Sequence, residues 1–241
     1  MTELDTDPAH SLDTENPWPG LMPFTEATQA FFHGRDAEAA ELFRRVRRER
    51  LTILFGQSGL GKSSLLNAGL FPRLRAADFL PVYLRLDLAN ESLSSIAQIK
   101  AALAENLAAH DVEGPPPHRD ETLWAYFHGK ETEFWSRRNR VVTPVLVLDQ
   151  FEEVFTLGRG ASSIDALIEE LAALVENRPP QSVRSALEDS PEAAERYDFA
   201  KQSCKLILAL REDFLPELEG ANHRRSARGR AAGDRCRILQ I

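Results

Sequence analysis

The sequence predicts an α/β fold in which helices flank a parallel β-sheet, and three observations lead to this prediction. Short apolar runs alternate with segments whose apolar residues have helical spacing, the order of strands joined by crossover helices. The runs at 145–148 and 205–210 are almost entirely apolar, as in strands buried on both faces. The run at 51–55 ends at a glycine-rich turn. A chain of 241 residues with 43% hydrophobic residues can bury one such core.

The predicted elements follow one another in a regular order. A proline-rich stretch at 17–24 carries large apolar residues and is expected to lie extended against the domain. The first helical segment has acidic residues early and arginines late, as the helix dipole favours. Strands are predicted at 51–55, 81–88, 145–148 and 205–210, and helices at 36–50, 62–70, 95–110, 121–138 and 163–177.

The chain divides into three parts by composition. Residues 1–16 are acidic and without periodicity, and we expect a disordered tail. Residues 17–220 form the predicted domain. Residues 221–241 are rich in arginine and weakly periodic, and we interpret them as a truncated or frameshifted end, with a disordered basic tail as the alternative.

Composition excludes several classes of protein. A net charge of −8 argues against a surface built to hold a nucleic acid backbone. The two cysteines form no metal-ligand pattern and are expected to be reduced thiols. No apolar run reaches the length of a membrane-spanning helix, and the acidic start does not resemble a signal peptide. We therefore expect a soluble cytoplasmic protein that contacts neither membrane nor nucleic acid.

The strongest motif is a full match to GxxxxGK[ST], the phosphate-binding loop or Walker A motif. Its glycines let backbone N–H groups converge on a phosphate, and the helix that follows adds its positive end. The lysine reaches the β- and γ-phosphates, and the hydroxyl after it is placed to bind Mg²⁺. The candidate nucleotide-binding residues are Gly56, Gln57, Ser58, Gly59, Leu60, Gly61, Lys62, Ser63 and Ser64, and Ser63 is also a candidate metal ligand.

A second candidate site follows the apolar strand at 145–148. Asp149 comes directly after this strand, where the carboxyl ends of parallel strands face the ligand crevice. It is the candidate Walker B acid and second Mg²⁺ ligand. Glu152 and Glu153 are candidate catalytic bases that orient or deprotonate the attacking water. The alternative is that Asp149 caps a helix whose first turn the glutamates charge.

Arg211 is the third candidate, since it directly follows the apolar strand at 205–210. At that position it would lie beside the γ-phosphate and act as a catalytic or sensing residue. The alternative is a surface arginine paired with Glu212 or Asp213. Asp149 is not followed by the DxxG pattern of GTPases, and an NKxD guanine-binding motif is lacking, so ATP is favoured over GTP. A small-molecule kinase is not excluded.

Four segments together resemble the STAND class of signalling P-loop ATPases, specifically the novel STAND NTPase type of bacterial multidomain proteins. They are PWPGLMPFTEATQAFFHGRDAE, GQSGLGKSSLLNAGLFPRL, VLVLDQFEEVFTL and LILALREDFLPELEG, in the family order. The resemblance implies a strand order of 5-1-4-3-2. It also implies that the hhGR element at 31–35, with Gly34 and Arg35, lies near adenine and ribose. The alternative is two core aromatics before a turn.

The resemblance further implies a switch in which ADP holds a closed state, ATP opens it and hydrolysis is slow. After Gly220 the sequence departs from the family pattern, and we expect the fifth strand and the C-terminal lid to be lacking. Protein partners or self-association would act through such C-terminal parts. Two alternatives stay open, an AAA-like remodelling ATPase and a remnant or scaffold without nucleotide binding.

Overall fold

A computed structural model describes residues 17–89, 92–157, 161–201, 203–220 and 237–240. Its strands are β1 (Leu51–Gly56), β2 (Phe79–Leu84), β3 (Val112–Glu113), β4 (Trp135–Ser136), β5 (Thr143–Leu148), β6 (Lys205–Arg211) and β7 (Arg237–Gln240). Its α-helices are α1 (Asp36–Arg48), α2 (Lys62–Ser64), α3 (Phe71–Ala76), α4 (Ser95–Ala109), α5 (Leu123–His128), α6 (Glu153–Thr156), α7 (Ala161–Glu176) and α8 (Gln181–Asp189). A π-helical segment, Leu65–Leu70, joins α2 to α3.

The main sheet has the order β2-β5-β6-β1-β7, and all of its strand pairs are parallel. Numbered by strand sequence within this sheet, the order is 5-1-4-3-2, so the order implied by the resemblance is confirmed. The α/β fold class with a parallel sheet is also confirmed. β6 lies between β1 and β5. Because the three strands are parallel, their carboxyl ends lie side by side at the same end of the sheet.

The expected lack of a fifth strand is wrong. β7 pairs with β1, with Thr52 opposite Arg237 and Phe55 opposite Gln240. The run RILQ is too short to predict a strand by itself; it becomes one because β1 otherwise presents an unpaired edge. Residues 237–240 are therefore a strand, which differs from the disordered basic tail named as the alternative for 221–241. Residues 221–236 and the acidic segment 1–16 lie outside the described residues.

The core consists of two apolar layers, one on each face of the sheet. Along β6, Leu206, Leu208 and Leu210 pack into one layer, whereas Ile207 and Ala209 pack into the other. This alternation buries both faces of the strand and explains its continuous apolar sequence. Helix α1 and the segment from α2 to α3 cover the layer that contains Ile207.

Several predicted elements differ from the structure. The helix predicted at 62–70 continues to Ala76. The strand predicted at 81–88 is Phe79–Leu84, because its partner β5 ends at Leu148, opposite Leu84. The long helix predicted at 121–138 is only α5, since the backbone leaves the helical region at its C-cap residue Gly129, where ψ is 132°.

Three further regions differ from expectation. They are the chain after α5, the segment after Pro180 and the proline-rich stretch at 17–24. β4 pairs antiparallel with β3 in a separate two-stranded sheet. Helix α8 was not predicted, and it begins after Pro180, which is its N-cap residue. The stretch at 17–24 is not simply extended, because Met22 N bonds to Pro19 O in a turn that contains Gly20 at a φ of 64°.

Candidate functional site

The predicted phosphate loop connects β1 to α2 at the carboxyl end of the sheet. Gly59 and Gly61 adopt φ values of 82° and 71°, in the left-handed region where a side chain is costly. Gln57, Ser58, Gly59 and Leu60 are exposed at the crest of the loop. The loop therefore presents its backbone to solvent and directs the chain into the helix that carries Lys62.

Lys62 closes this loop with its own ammonium group. Its Nζ donates hydrogen bonds to Gly56 O at 2.8 Å and Gln57 O at 2.9 Å. Burial lowers the pKa of Lys62, while the negative charges of Glu152 and Asp149 act in the opposite direction. Because both acceptors are neutral carbonyls, an anionic phosphate oxygen would be a stronger partner for the same ammonium group.

Ser63 and Asp149 come together across the edge of the sheet. The Ser63 hydroxyl donates a hydrogen bond of 2.5 Å to Asp149 Oδ2. Asp149 is buried, with only 3% of its surface exposed. The hydroxyl and carboxylate oxygens are the hard ligands that Mg²⁺ prefers. The chemistry of this donor pair therefore fits the cation that accompanies nucleotide phosphates.

Two further groups fix the Asp149 carboxylate. Tyr83, on β2, donates its hydroxyl to Oδ2 at 2.8 Å, and Gln150 N donates to Oδ1 at 2.9 Å. Burial, the Asp149 charge and the hydrogen bond all raise the pKa of Tyr83. Tyr83 was not among the site residues predicted from the sequence. The available signal was a polar residue near the end of a strand that the predicted sheet places beside the Asp149 strand.

The two candidate glutamates point to different partners. Glu152 Oε2 accepts a hydrogen bond of 3.3 Å from Arg211 N, and its charge acts on Lys62 more strongly than that of any other acid. Glu153 is the first residue of α6, and its carboxylate lies 3.6 Å from Arg85 Nη2. The structure therefore brings Glu152, and not Glu153, toward the phosphate loop.

Arg211 ends β6 in register with Gly56, the first residue of the phosphate loop. Its guanidinium pairs with Asp213 Oδ2 at 2.5 Å and lies over the ring of Phe214. Its positive charge contributes to lowering the pKa of Lys62, so the two groups share one electrostatic environment. The alternative pairing with Asp213 predicted from the sequence is thus observed, at a position beside the loop.

A cavity of about 690 Å³ adjoins the phosphate loop. This volume is typical of small-molecule sites. Arg35 connects the two regions, since its Nη1 donates to Leu60 O at 2.6 Å while its Nη2 bonds to Glu38 Oε1 at 3.1 Å. Gly34 adopts a φ of 83° and does not line the cavity. The cavity is lined by Pro17, Trp18, Phe24, Phe31, Phe32, His33, Arg35, Glu38, Gly59, Leu60, Gly61 and Ser64.

The N-terminal aromatics line this cavity and also pack against the domain. Phe24 and Phe32 have ring centroids 5.7 Å apart, and Phe24 N donates to Ser64 Oγ at 3.1 Å. Phe32 also packs against the core layer beneath α1. Trp18 is 74% exposed at the rim of the cavity. The resemblance implied a place near the nucleotide for Phe31 and Phe32, whereas Trp18 and Phe24 were not predicted as lining residues.

In residues 17–220 and 237–240, apart from the gaps between the described ranges, no helix is both long and apolar enough to cross a membrane. Over the same part of the chain, no cluster of three or more His, Cys, Asp or Glu residues is arranged to hold a metal ion.

The family model Novel STAND NTPase 1 matches residues 17–232. No curated protein matches the chain. A Walker-type ATPase of Pyrococcus abyssi has a similar structure, with a TM-score of 0.55 and 15% identity over 92% of this chain and 56% of that one. The ORC2 protein of Aeropyrum pernix, solved as ADPNP-ADP complexes, has a TM-score of 0.48 and 14% identity over 87% and 48% of the two chains.

The likeness to the Pyrococcus abyssi ATPase agrees with the α/β fold. The chain spans about half the length of both solved structures. At a sequence identity of 15%, similarity to a solved structure indicates a shared fold and does not indicate a shared function. The family match begins at Pro17, where the predicted domain begins, and continues 12 residues beyond the predicted end at Gly220.

Proposed function

Because this chain belongs to the Novel STAND NTPase 1 family of nucleotide-binding NTPases, we propose that it is a signalling switch domain that binds ATP or ADP with Mg²⁺ and hydrolyses ATP slowly. The observation that carries this proposal is the contact of 2.5 Å between Ser63 Oγ and Asp149 Oδ2 beside Lys62. A phosphate-binding lysine and a hydroxyl–carboxylate pair are the two parts that a Mg²⁺–nucleotide complex requires.

The cavity supports a nucleoside as the second part of the ligand. Its aromatic residues offer faces for a purine ring, and Arg35 adjoins the phosphate loop at Leu60. The cavity and the predicted nucleotide-binding segment share Gly59, Leu60, Gly61 and Ser64, so one ligand can occupy both. We propose that the base and ribose lie in this cavity and that the phosphates lie over Lys62.

Each polar residue of the site has a separate role in the proposal. Lys62 binds the β- and γ-phosphates, and Ser63 and Asp149 hold Mg²⁺, which neutralises phosphate charge when it is bound. Glu152 orients and accepts a proton from the attacking water, since it lies toward Lys62. Arg211 contacts the γ-phosphate only if its guanidinium leaves Asp213, which agrees with slow hydrolysis.

We also propose that the protein works in the cytoplasm with a nucleotide as its principal small-molecule partner. The acidic charge of −8 and the sparse cysteines support this location and disfavour nucleic acid as a partner. Other proteins, or further copies of the chain, are the partners that a signalling switch would address.

Calorimetric titration of ATP and ADP, with Mg²⁺ or with EDTA, tests this function. We expect binding that Lys62→Ala abolishes and that Asp149→Asn weakens only when Mg²⁺ is present. Lys130→Ala is the matched control, because Lys130 is an exposed lysine outside the site. Binding that does not depend on Lys62 would overturn the proposal, and turnover above roughly one per second would indicate a remodelling ATPase instead of a switch.

A further inference from the structure

Tyr83 is a polar residue whose ring packs among apolar side chains. It lies on β2 opposite Val147, one position before the paired strand ends at Leu84 and Leu148. Its ring packs against the core layer beneath α1 and makes an edge contact with Phe71, with ring centroids 5.9 Å apart. A phenylalanine would satisfy this packing equally well, so the contacts of the hydroxyl group need a separate explanation.

The hydroxyl group of Tyr83 is hydrogen-bonded to the Asp149 carboxylate. It donates to Asp149 Oδ2 at 2.8 Å, the same oxygen that accepts the Ser63 hydroxyl at 2.5 Å. Gln150 N holds the other carboxylate oxygen at 2.9 Å. The carboxylate is therefore held from three directions, and its plane is fixed relative to Ser63.

In this arrangement the Ser63 hydroxyl oxygen can still coordinate a cation. A hydroxyl group has one hydrogen and two lone pairs, so Ser63 can keep its hydrogen on Asp149 while a lone pair faces Mg²⁺. The Tyr83 hydroxyl contacts Asp149 Oδ2 and also interacts with the Ser63 hydroxyl, so it adjoins both proposed Mg²⁺ ligands. Groups that orient a metal ligand from behind commonly change metal affinity 10- to 100-fold when they are removed.

We infer that Tyr83 is a positioning residue for Mg²⁺, which holds Asp149 in the orientation that binds the cation together with Ser63. This inference rests on the proposed function, because it needs a Mg²⁺–nucleotide complex at the site. It adds a residue from β2, the outer strand of the sheet, to a site otherwise built from the ends of β1, β5 and β6.

Tyr83→Phe is the variant that tests the inference, since it removes one oxygen and keeps the ring. Nucleotide affinity is measured by calorimetry over a range of Mg²⁺ concentrations and again in EDTA. We expect the Mg²⁺ concentration at half-maximal enhancement to rise about 10-fold, with affinity in EDTA unchanged. Tyr126→Phe is the control, because Tyr126 also donates its hydroxyl to an oxygen, Pro115 O at 2.6 Å, away from the site.

The outcomes separate this inference from the proposed function. If the wild-type protein shows no Lys62-dependent binding, the proposed function fails. If the wild-type protein binds with Mg²⁺ and Tyr83→Phe has the same Mg²⁺ midpoint, only the inference fails. A loss of affinity in EDTA that equals the loss with Mg²⁺ would also overturn it, because the role of Tyr83 would then be to maintain the pocket in general.

Discussion

Arg35 Nη1 donates a hydrogen bond of 2.6 Å to the carbonyl oxygen of Leu60, which joins the hhGR element to the crest of the phosphate loop. The two residues are 25 positions apart in the chain. A Cβ atom on Gly61 would lie 3.3 Å from the same guanidinium nitrogen. Arg35 therefore contacts the phosphate loop directly and also lines the cavity beside it.

Arg35→Ala is expected to weaken ADP binding about 10-fold, since a hydrogen bond from a charged group contributes roughly 1.5–3 kcal/mol and part of this one is exposed to solvent. Fluorescence titration with a labelled ADP measures the change. Arg44→Ala is the control, because Arg44 is an exposed arginine of α1 that also forms an ion pair with a glutamate, Glu41. Equal affinity of Arg35→Ala and Arg44→Ala would contradict a role for Arg35.

The two glutamates after Asp149 are expected to differ in hydrolysis. Glu152→Gln should slow single-turnover ATP hydrolysis by about 10²- to 10⁴-fold, because a positioned general base contributes that much. Glu153→Gln should change the rate little, since its carboxylate faces Arg85. The two variants change the same functional group at adjacent positions, so each is the control for the other. A slower reaction for Glu153→Gln than for Glu152→Gln would show that the assignment is reversed.

The sequence predicted the central sheet better than its surroundings, for a physical reason. β5 and β6 are buried on both faces, so their apolar runs are hard to mistake, and the glycine pattern of the loop leaves little choice of conformation. The segment after α5 has no such constraint. A single helix was predicted over 121–138. In the structure this helix ends at Gly129, and Phe134 is buried in the chain that follows.

The site was predictable where one motif contains the residues and less predictable where a neighbouring strand supplies them. Lys62 and Ser63 follow from the loop motif, and Asp149 follows from the end of its strand. Tyr83 depends on the pairing of β2 with β5, which the sequence does not give directly. Glu152 and Glu153 are adjacent in sequence, and only their different partners, Arg211 N and Arg85, separate them.

Gly61 has a left-handed backbone conformation, and we expect its substitution to affect both stability and nucleotide binding. Gly61→Ala should destabilise the protein by about 1–2 kcal/mol, because a residue with a Cβ is strained at a φ of 71°. It should also reduce nucleotide affinity, since the new Cβ would crowd Arg35. Chemical denaturation measures the stability, and calorimetric titration with ADP measures the affinity.

Gly20→Ala is the matched control for Gly61→Ala. Gly20 has a φ of 64°, yet a Cβ there would meet nothing within 4 Å. We therefore expect a similar loss of stability with nucleotide affinity unchanged. If both variants lose affinity equally, the effect of Gly61→Ala would be one of general stability and not of loop geometry.

His128 is expected to make the folded state sensitive to acid. The residue is 3% exposed, its ring stacks on Trp124, and Asn177 pairs with Nε2. Burial is the main cause that lowers the pKa of His128 below 6.5, and Arg50 acts in the same direction, against the hydrogen bonds of the ring and the charge of Asp198. As the pH falls through 6.5, the unfolded chain therefore binds this proton before the folded protein does.

The free energy of unfolding should consequently decrease below pH 6.5, by at most about 1.4 kcal/mol per pH unit from this group, until the folded-state pKa is reached. Urea denaturation at pH 7.5 and pH 5.5 measures the change. His128→Asn should reduce the difference between the two values, whereas His118→Asn, at an exposed position, should leave it as in the wild-type protein. If His128→Asn retains the full difference, other groups are responsible for the acid sensitivity, because the substituted side chain no longer titrates.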